Sequence, residues 1–262
     1  MNRKELKRQI EKKDSYLCIG LDTDINRIPN VFEKNWRGMV DFNKEIIQAT
    51  SDLAVAYKPN IAFYESMGID GWKALDKTLE FIPDHCFTIA DAKRGDIGNT
   101  SRMYAKTFFE TFDFDSVTIA PYMGSDSVEP FLTYNNKWVI ILGLTSNKGA
   151  KDFQFQKLEN GSQVYEAVLR RCAEYGSIDN TMFVIGATKS EFLTDVRQII
   201  PDHFLLVPGV GAQGGTLESV IEHGANNDGG LLINSSRGIL YASDGKDFAE
   251  AAREKAMALS KR

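Results

Sequence analysis

The chain has 262 residues, with 31 Lys and Arg against 36 Asp and Glu, for a formal net charge of −5. That balance excludes a general nucleic-acid binder, whose affinity rests on neutralising phosphates with basic side chains, but leaves room for one small anion in a local basic pocket. The length suits one large α/β domain or two small ones, and no apolar run approaches the roughly 20 residues that a membrane span needs.

The N-terminal stretch MNRKELKRQIEKKDS is charged throughout and lacks the apolar segment of a signal peptide. Its residues from about 2 to 13 are predicted as a helix with Leu6 and Ile10 on one face, covering the floor of the fold. Beyond it, short apolar runs alternate with amphipathic stretches. The predicted strands are YLCIGLD (16–22), VAYKPN (55–60), FTIADAK (87–93), SVTIAP (116–121), WVIILGLTS (138–146), MFVIGAT (182–188), FLLVPGV (204–210) and GLLINSS (230–236). Predicted helices cover 38–53, 70–82, 100–112, 162–176, 215–224 and 247–262.

Strands of this length that are apolar on both faces are what a parallel sheet covered by helices requires. Eight such units in about 250 residues fit a closed (β/α)8 TIM barrel, with a doubly wound sheet carrying extra strands as the alternative. No linker or composition shift divides the chain, so residues 1–262 read as one barrel domain. The one long connection, at about 147–161 after the fifth strand, has the length of a functional flap. Three widely spaced cysteines, Cys18, Cys86 and Cys172, form no CxxC pair and fit a reducing cytoplasm, packed as small hydrophobes. The histidines show no metal-ligand spacing.

Aligned by their C-terminal ends, the strands finish in Asp22, in Lys58 and Asn60, in Asp91 and Lys93, in Ser146, in Thr188, and in Ser236 and Arg237. The upstream halves are nearly free of charge, and loops at the C-terminal rim build the active sites of such barrels. In the stretch TIADAKRGDIGNTS (88–101), strand alternation puts Ile89, Asp91 and Lys93 on one face, with the acid and the lysine pointing into the barrel mouth. A purely structural Asp91–Lys93 pair is a poor explanation, because buried ion pairs stabilise little once desolvation is counted. Carboxylates beside a lysine hold its ammonium form, which suits a proton donor and not an amine nucleophile. Asp96 opens the next helix, where its bland role is an N-cap.

The stretch FLLVPGVGAQGG contains a literal G-x-G-x-x-G, Gly209 to Gly214. In a dinucleotide-binding domain that fingerprint falls in the first βα turn; here it follows the seventh strand, where barrels commonly hold phosphate. Glycines permit close approach of backbone N–H groups to an anion, and Arg237 supplies a forked cation. The reading is a phosphomonoester site.

DAKRGDIGNT, with GLD on the first strand, YKPN on the second, PGVGAQGG on the seventh and SSRG on the eighth, resembles the orotidine 5'-phosphate decarboxylase family, in its longer subgroup, over nearly the whole chain. The resemblance implies cofactor-independent conversion of orotidine 5'-phosphate (OMP) to UMP and CO2 in pyrimidine biosynthesis, in the cytoplasm, with no metal, nucleic acid or membrane involved. It implies catalytic roles for Lys93, Asp91, Asp96 and Lys58, with Lys93 protonating C6 of the pyrimidine. Asp22 and Lys58 would hold ribose hydroxyls, Ser146 the pyrimidine, and Gln213 and Arg237 the phosphate, with Asn60 and Ser236 also among the substrate-binding residues. It further implies a homodimer, with Asp96, Ile97 and Thr100 reaching into the neighbouring subunit's site. The rival readings are a magnesium-dependent sugar-phosphate decarboxylase sharing the D-x-K-x-x-D array, and a non-catalytic nucleotide-phosphate binder.

Overall fold

The computed structural model describes residues 1–186, 191–209 and 216–260. All eight predicted strands form: β1 (Leu17–Leu21), β2 (Ala56–Pro59), β3 (Phe87–Arg94), β4 (Ser116–Ile119), β5 (Trp138–Leu144), β6 (Thr181–Ile185), β7 (Phe204–Pro208) and β8 (Leu231–Ser235). They close into a barrel in chain order, so the (β/α)8 architecture expected from the sequence is the observed one. Every residue of β1, β2, β4 and β6 is buried, as strands covered on both faces must be.

The six predicted helices appear as Trp36–Thr50, Ile69–Leu79, Gly98–Lys106, Val164–Ala173, Leu217–Gly224 and Phe248–Ser260. Two connecting helices were not predicted, Ser125–Leu132 between β4 and β5 and Glu191–Ile199 between β6 and β7. The first carries Pro130 inside it, and proline in a helical pattern argues against a helix. The N-terminal helix spans Arg3–Lys13, with Leu6 and Ile10 fully buried. The long connection after β5 is not plain loop. It contains the short helix Ala150–Phe153, and Gln154 exchanges two side-chain hydrogen bonds with Thr145 at 2.8 and 2.7 Å.

By packing, the chain divides into two compact units, Met1–Lys7 with Lys93–Ile233, and Arg8–Ala92 with Asn234–Arg262. In the second unit the core gathers Leu17, Ile19, Leu21, Phe42, Ile46 and Tyr57 with Ile239, Leu240 and Phe248. Phe32 meets both Phe42 and Phe248 edge-on at 5.9 and 5.3 Å, a geometry that aromatic quadrupoles favour.

The first unit packs Trp138 edge-on against Phe204 at 6.1 Å. Its charged interior is satisfied by forked guanidiniums. Arg3 donates to Asp228 and to the carbonyls of Ile178 and Asp202, and Arg197 donates to five backbone carbonyls between Ile200 and Gly230. Buried backbone oxygens need such partners, and the rigid fork supplies several from one side chain.

Candidate active site

In the second unit, parallel pairing sets Gly20 of β1 beside Lys58 of β2, and an isolated bridge sets Asn60 beside Asp91 of β3. Three strand ends thereby deliver Asp22, Lys58 and Asp91 to one place. The Lys58 ammonium lies 2.7 Å from an Asp91 carboxylate oxygen and 3.8 Å from Asp22 Oδ1. Lys58 is 4% exposed and Asp91 9%, so water screens this array poorly. Burial alone would lower the lysine's pKa, but the two carboxylates more than offset it and hold the ammonium above the ordinary lysine value. Cys18, also buried on β1, stays a neutral thiol because burial pushes it up to about 12.

Asp22 Oδ1 is buried and accepts no hydrogen bond among the described residues. A buried acceptor without a donor is costly unless something supplies one. Asn60 sits at the end of β2, and its side chain caps the helix Ile61–Glu65 by accepting from the Ala62 N–H.

The end of β8 belongs to the same unit. Asn234 donates to the Ser236 hydroxyl at 3.4 Å. That hydroxyl comes so near β1 that a Cβ on Gly20 would fall 1.9 Å from it, which is why this position of GLD has no side chain. Arg237 opens the short helix Arg237–Leu240 and is exposed, its side chain making no ion pair or hydrogen bond among the described residues.

The first unit carries the remaining expected residues. Lys93, the last residue but one of β3, has φ +47°, a left-handed conformation that costs a non-glycine residue energy. Its N–H donates to the Thr118 side chain at 2.9 Å. The period-two rule assumes extended backbone, and Lys93 departs from it, so alternation alone does not set the direction of its side chain. Strain of this kind persists where surrounding structure over-determines it, and it concentrates at functional positions.

The N-cap of the following helix is Ile97, without a side-chain cap, and not Asp96. Asp96 instead accepts from the Ile97 N–H at 2.8 Å, and its carbonyl accepts from the Ser101 hydroxyl. Ile97 and Thr100 are both exposed. Ser146 packs so closely on Gly186 that a Cβ there would meet the Ser146 nitrogen at 2.6 Å. Gln213 and Thr188 lie outside the described residues.

Sequence reading missed the support beneath Asp22. The Tyr64 hydroxyl donates to the Leu21 carbonyl at 3.3 Å, and the fully buried Asn43 links Thr23, Tyr64 and Thr78 at 2.6 to 3.1 Å. An asparagine on the apolar face of its helix was the available signal, since a buried amide demands partners. Among the described residues, no group of three His, Cys, Asp or Glu side chains is arranged to hold a metal ion.

Comparison with known proteins adds the lineage. Residues 15–252 match the Orotidine 5'-phosphate decarboxylase / HUMPS family. The chain belongs to this family. Orotidine 5'-phosphate decarboxylase of Christiangramia forsetii is 57% identical over 99% of this chain and 96% of its own length, and that of Phocaeicola vulgatus is 55% identical over 98% and 95%. The structure of Leishmania donovani OMP decarboxylase superposes with a TM-score of 0.83 at 36% identity, covering 99% of this chain and 98% of that one. The orotidine 5'-phosphate decarboxylase family match spans every strand of the barrel and every site residue expected from the sequence.

Proposed function

We propose that this protein decarboxylates OMP to UMP and CO2 as a cofactor-independent carboxy-lyase of pyrimidine biosynthesis. The observation that carries the reading is the buried Asp22–Lys58–Asp91 array, two residues ahead of the strained Lys93, in a chain of this family. The full-length relatives bearing the decarboxylase name support the choice of substrate.

The C6–carboxylate bond breaks, CO2 departs and the electron pair stays on C6 in the ring plane, where ring resonance does not delocalise it. Such a carbanion needs a fixed cation oriented before reaction. The Lys93 ammonium takes that role and then transfers its proton to C6, and solvent restores it. Asp91 stands near the departing carboxylate. Lys58, held charged by Asp91 and Asp22, fixes the Asp91 carboxylate, and Asp22 accepts from a ribose hydroxyl. Ser146 contacts the pyrimidine, while Arg237 and Gln213 grip the phosphate, and Ser236 and Asn60 complete the substrate-binding set. Phosphate binding, remote from C6, orders the site, so the phosphate group serves turnover as well as affinity.

The working unit in this reading is a homodimer in which Asp96, Ile97 and Thr100 complete the neighbour's site. Its support is the exposed apolar set Ile97 and Met103 after β3 with Tyr122 and Met123 after β4, 46 to 92% accessible, since exposed apolar side chains in groups mark interaction surfaces. No helix of the described chain is long and apolar enough to cross a membrane. The soluble substrate and the free thiols of Cys18, Cys86 and Cys172 support a cytoplasmic setting.

The test is a spectrophotometric assay with OMP, with and without EDTA. Equal turnover in both supports the reading. Loss of OMP turnover on chelation favours metal-dependent chemistry, and tight UMP binding without turnover favours a non-catalytic binder.

A further inference from the structure

The turn that carries Asp22 is fastened by a residue that belongs to the other end of the unit's sequence. Tyr241 follows directly on the helix Arg237–Leu240 and serves as its C-cap. Its hydroxyl accepts from the Asp24 N–H at 2.8 Å and donates to the Asp22 carbonyl at 3.2 Å, so one atom holds the backbone on both sides of Thr23.

The ring is itself held between two partners. Phe42 stacks on it at 6.4 Å with planes 8° apart, and the Arg27 guanidinium sits 3.9 Å from its centroid. Burial raises the phenol's pKa, which keeps the hydroxyl protonated and able to donate. Tyr241 therefore has a fixed position, set by packing, and two specific hydrogen bonds that use it.

We infer that Tyr241 is a positioning residue that couples the Arg237 end of the site to the Asp22 end. The Arg237 helix and the Asp22 turn share this hydroxyl as a mechanical link. An anion that draws Arg237 inward moves the C-cap of the same short helix, and through it the backbone from which the Asp22 carboxylate projects. The inference rests on the OMP reading, in which Arg237 takes the phosphate and Asp22 the ribose. It adds that binding energy collected at the phosphate is delivered to the sugar through Tyr241.

The experiment is a double-mutant cycle on kcat and KM for OMP using Tyr241→Phe, Arg237→Ala and the double variant. Thermal midpoints of each, and affinity for UMP by calorimetry, are measured alongside. Tyr241→Phe keeps the stacked ring and removes only the two hydrogen bonds, so the fold survives. Expected is a loss of about tenfold in kcat/KM, borne partly by kcat, because misplacing a positioned group by a fraction of an ångström costs rate. In the Arg237→Ala background the same change should cost less than about threefold, because the coupling is already cut.

Additive losses, or a Tyr241→Phe variant with wild-type kinetics, would overturn the coupling while leaving the OMP reading intact. A well-folded wild-type chain with no OMP turnover would overturn both. Arg27→Ala removes one support of the ring, and it should show a weaker version of the Tyr241→Phe defect with the same dependence on Arg237. An Arg27→Ala loss that is undiminished in the Arg237→Ala background would count against the coupling.

Discussion

The Lys58 ammonium and the Asp91 carboxylate lie 2.7 Å apart, both out of water, with Asp22 as a second acid 3.8 Å from the same nitrogen. One cation thus holds together two carboxylates that would repel each other without it. Lys58→Ala should destabilise the protein by about 3–5 kcal/mol, the usual cost of leaving buried charge uncompensated. Urea denaturation checks this; a loss under about 1 kcal/mol would show that the acids take up protons or water at little cost. Because the Lys58 pKa is raised on folding, its stabilisation is complete below the unfolded lysine value of about 10.4 and is lost only as pH climbs through the folded value. The contribution should therefore be flat across neutral pH.

Lys93 has φ +47°, so its Cβ carries a conformational cost that glycine would not. Lys93→Gly should be at least as stable as Lys93→Ala, by about 1 kcal/mol, since alanine keeps the penalty. Paired urea titrations measure the difference. A Gly variant clearly weaker than the Ala variant would mean that the backbone relaxes once the lysine is gone.

Arg237 is exposed and its side chain makes no ion pair or hydrogen bond among the described residues, which leaves the guanidinium free for a ligand. Arg237→Ala should leave the thermal midpoint unchanged and raise KM for OMP by roughly a hundredfold, reflecting a lost bidentate phosphate contact. A nucleoside substrate without phosphate should be indifferent to the change. Equal losses for both substrates would remove Arg237 from the phosphate grip.

His203 is buried, its two ring nitrogens make no hydrogen bond among the described residues, and it lies edge-on to Phe183 at 5.4 Å. Burial, with the charges of Arg3 and Arg197 and against the pull of Asp202, lowers its pKa to about 4. The unfolded chain takes up a proton near pH 6.5 that the folded chain refuses, so this group's stabilisation is present above about 6.5 and falls away as pH drops toward 4. His203→Phe should flatten that acid-side slope, as read from urea midpoints at several pH values. Parallel slopes for variant and wild type would refute it.

Much of the barrel was legible because apolar runs of strand length recur with amphipathic stretches between them, and β1 to β8 match the predicted segments, with β3 and β6 each overrunning theirs by one residue. The site was legible where polar residues end apolar strands, as at Asp22, Lys58 and Asp91. The long-range partner of Asp91 was less legible, because Lys58, which donates to it at 2.7 Å, lies 33 residues away in sequence.

The left-handed turn at Lys93 was hidden because alternation presumes a straight strand, and the Thr118 hydroxyl that takes its N–H comes from β4. Asp96 looked like a cap because acids often are, yet the helix starts a residue later, leaving Ile97 at the cap. Tyr241 carried no signal at all, since its meaning depends on a hydrogen bond across 219 residues.

The proton-donor role of Lys93 is tested most directly by product formation from OMP with a folded Lys93→Ala protein, followed as UMP by chromatography. With the ammonium gone, the carbanion loses its fixed cation and its proton source, and UMP formation should fall by at least about three orders of magnitude while circular dichroism and the thermal midpoint stay as in wild type. UMP produced at the wild-type rate by that folded variant would contradict the account.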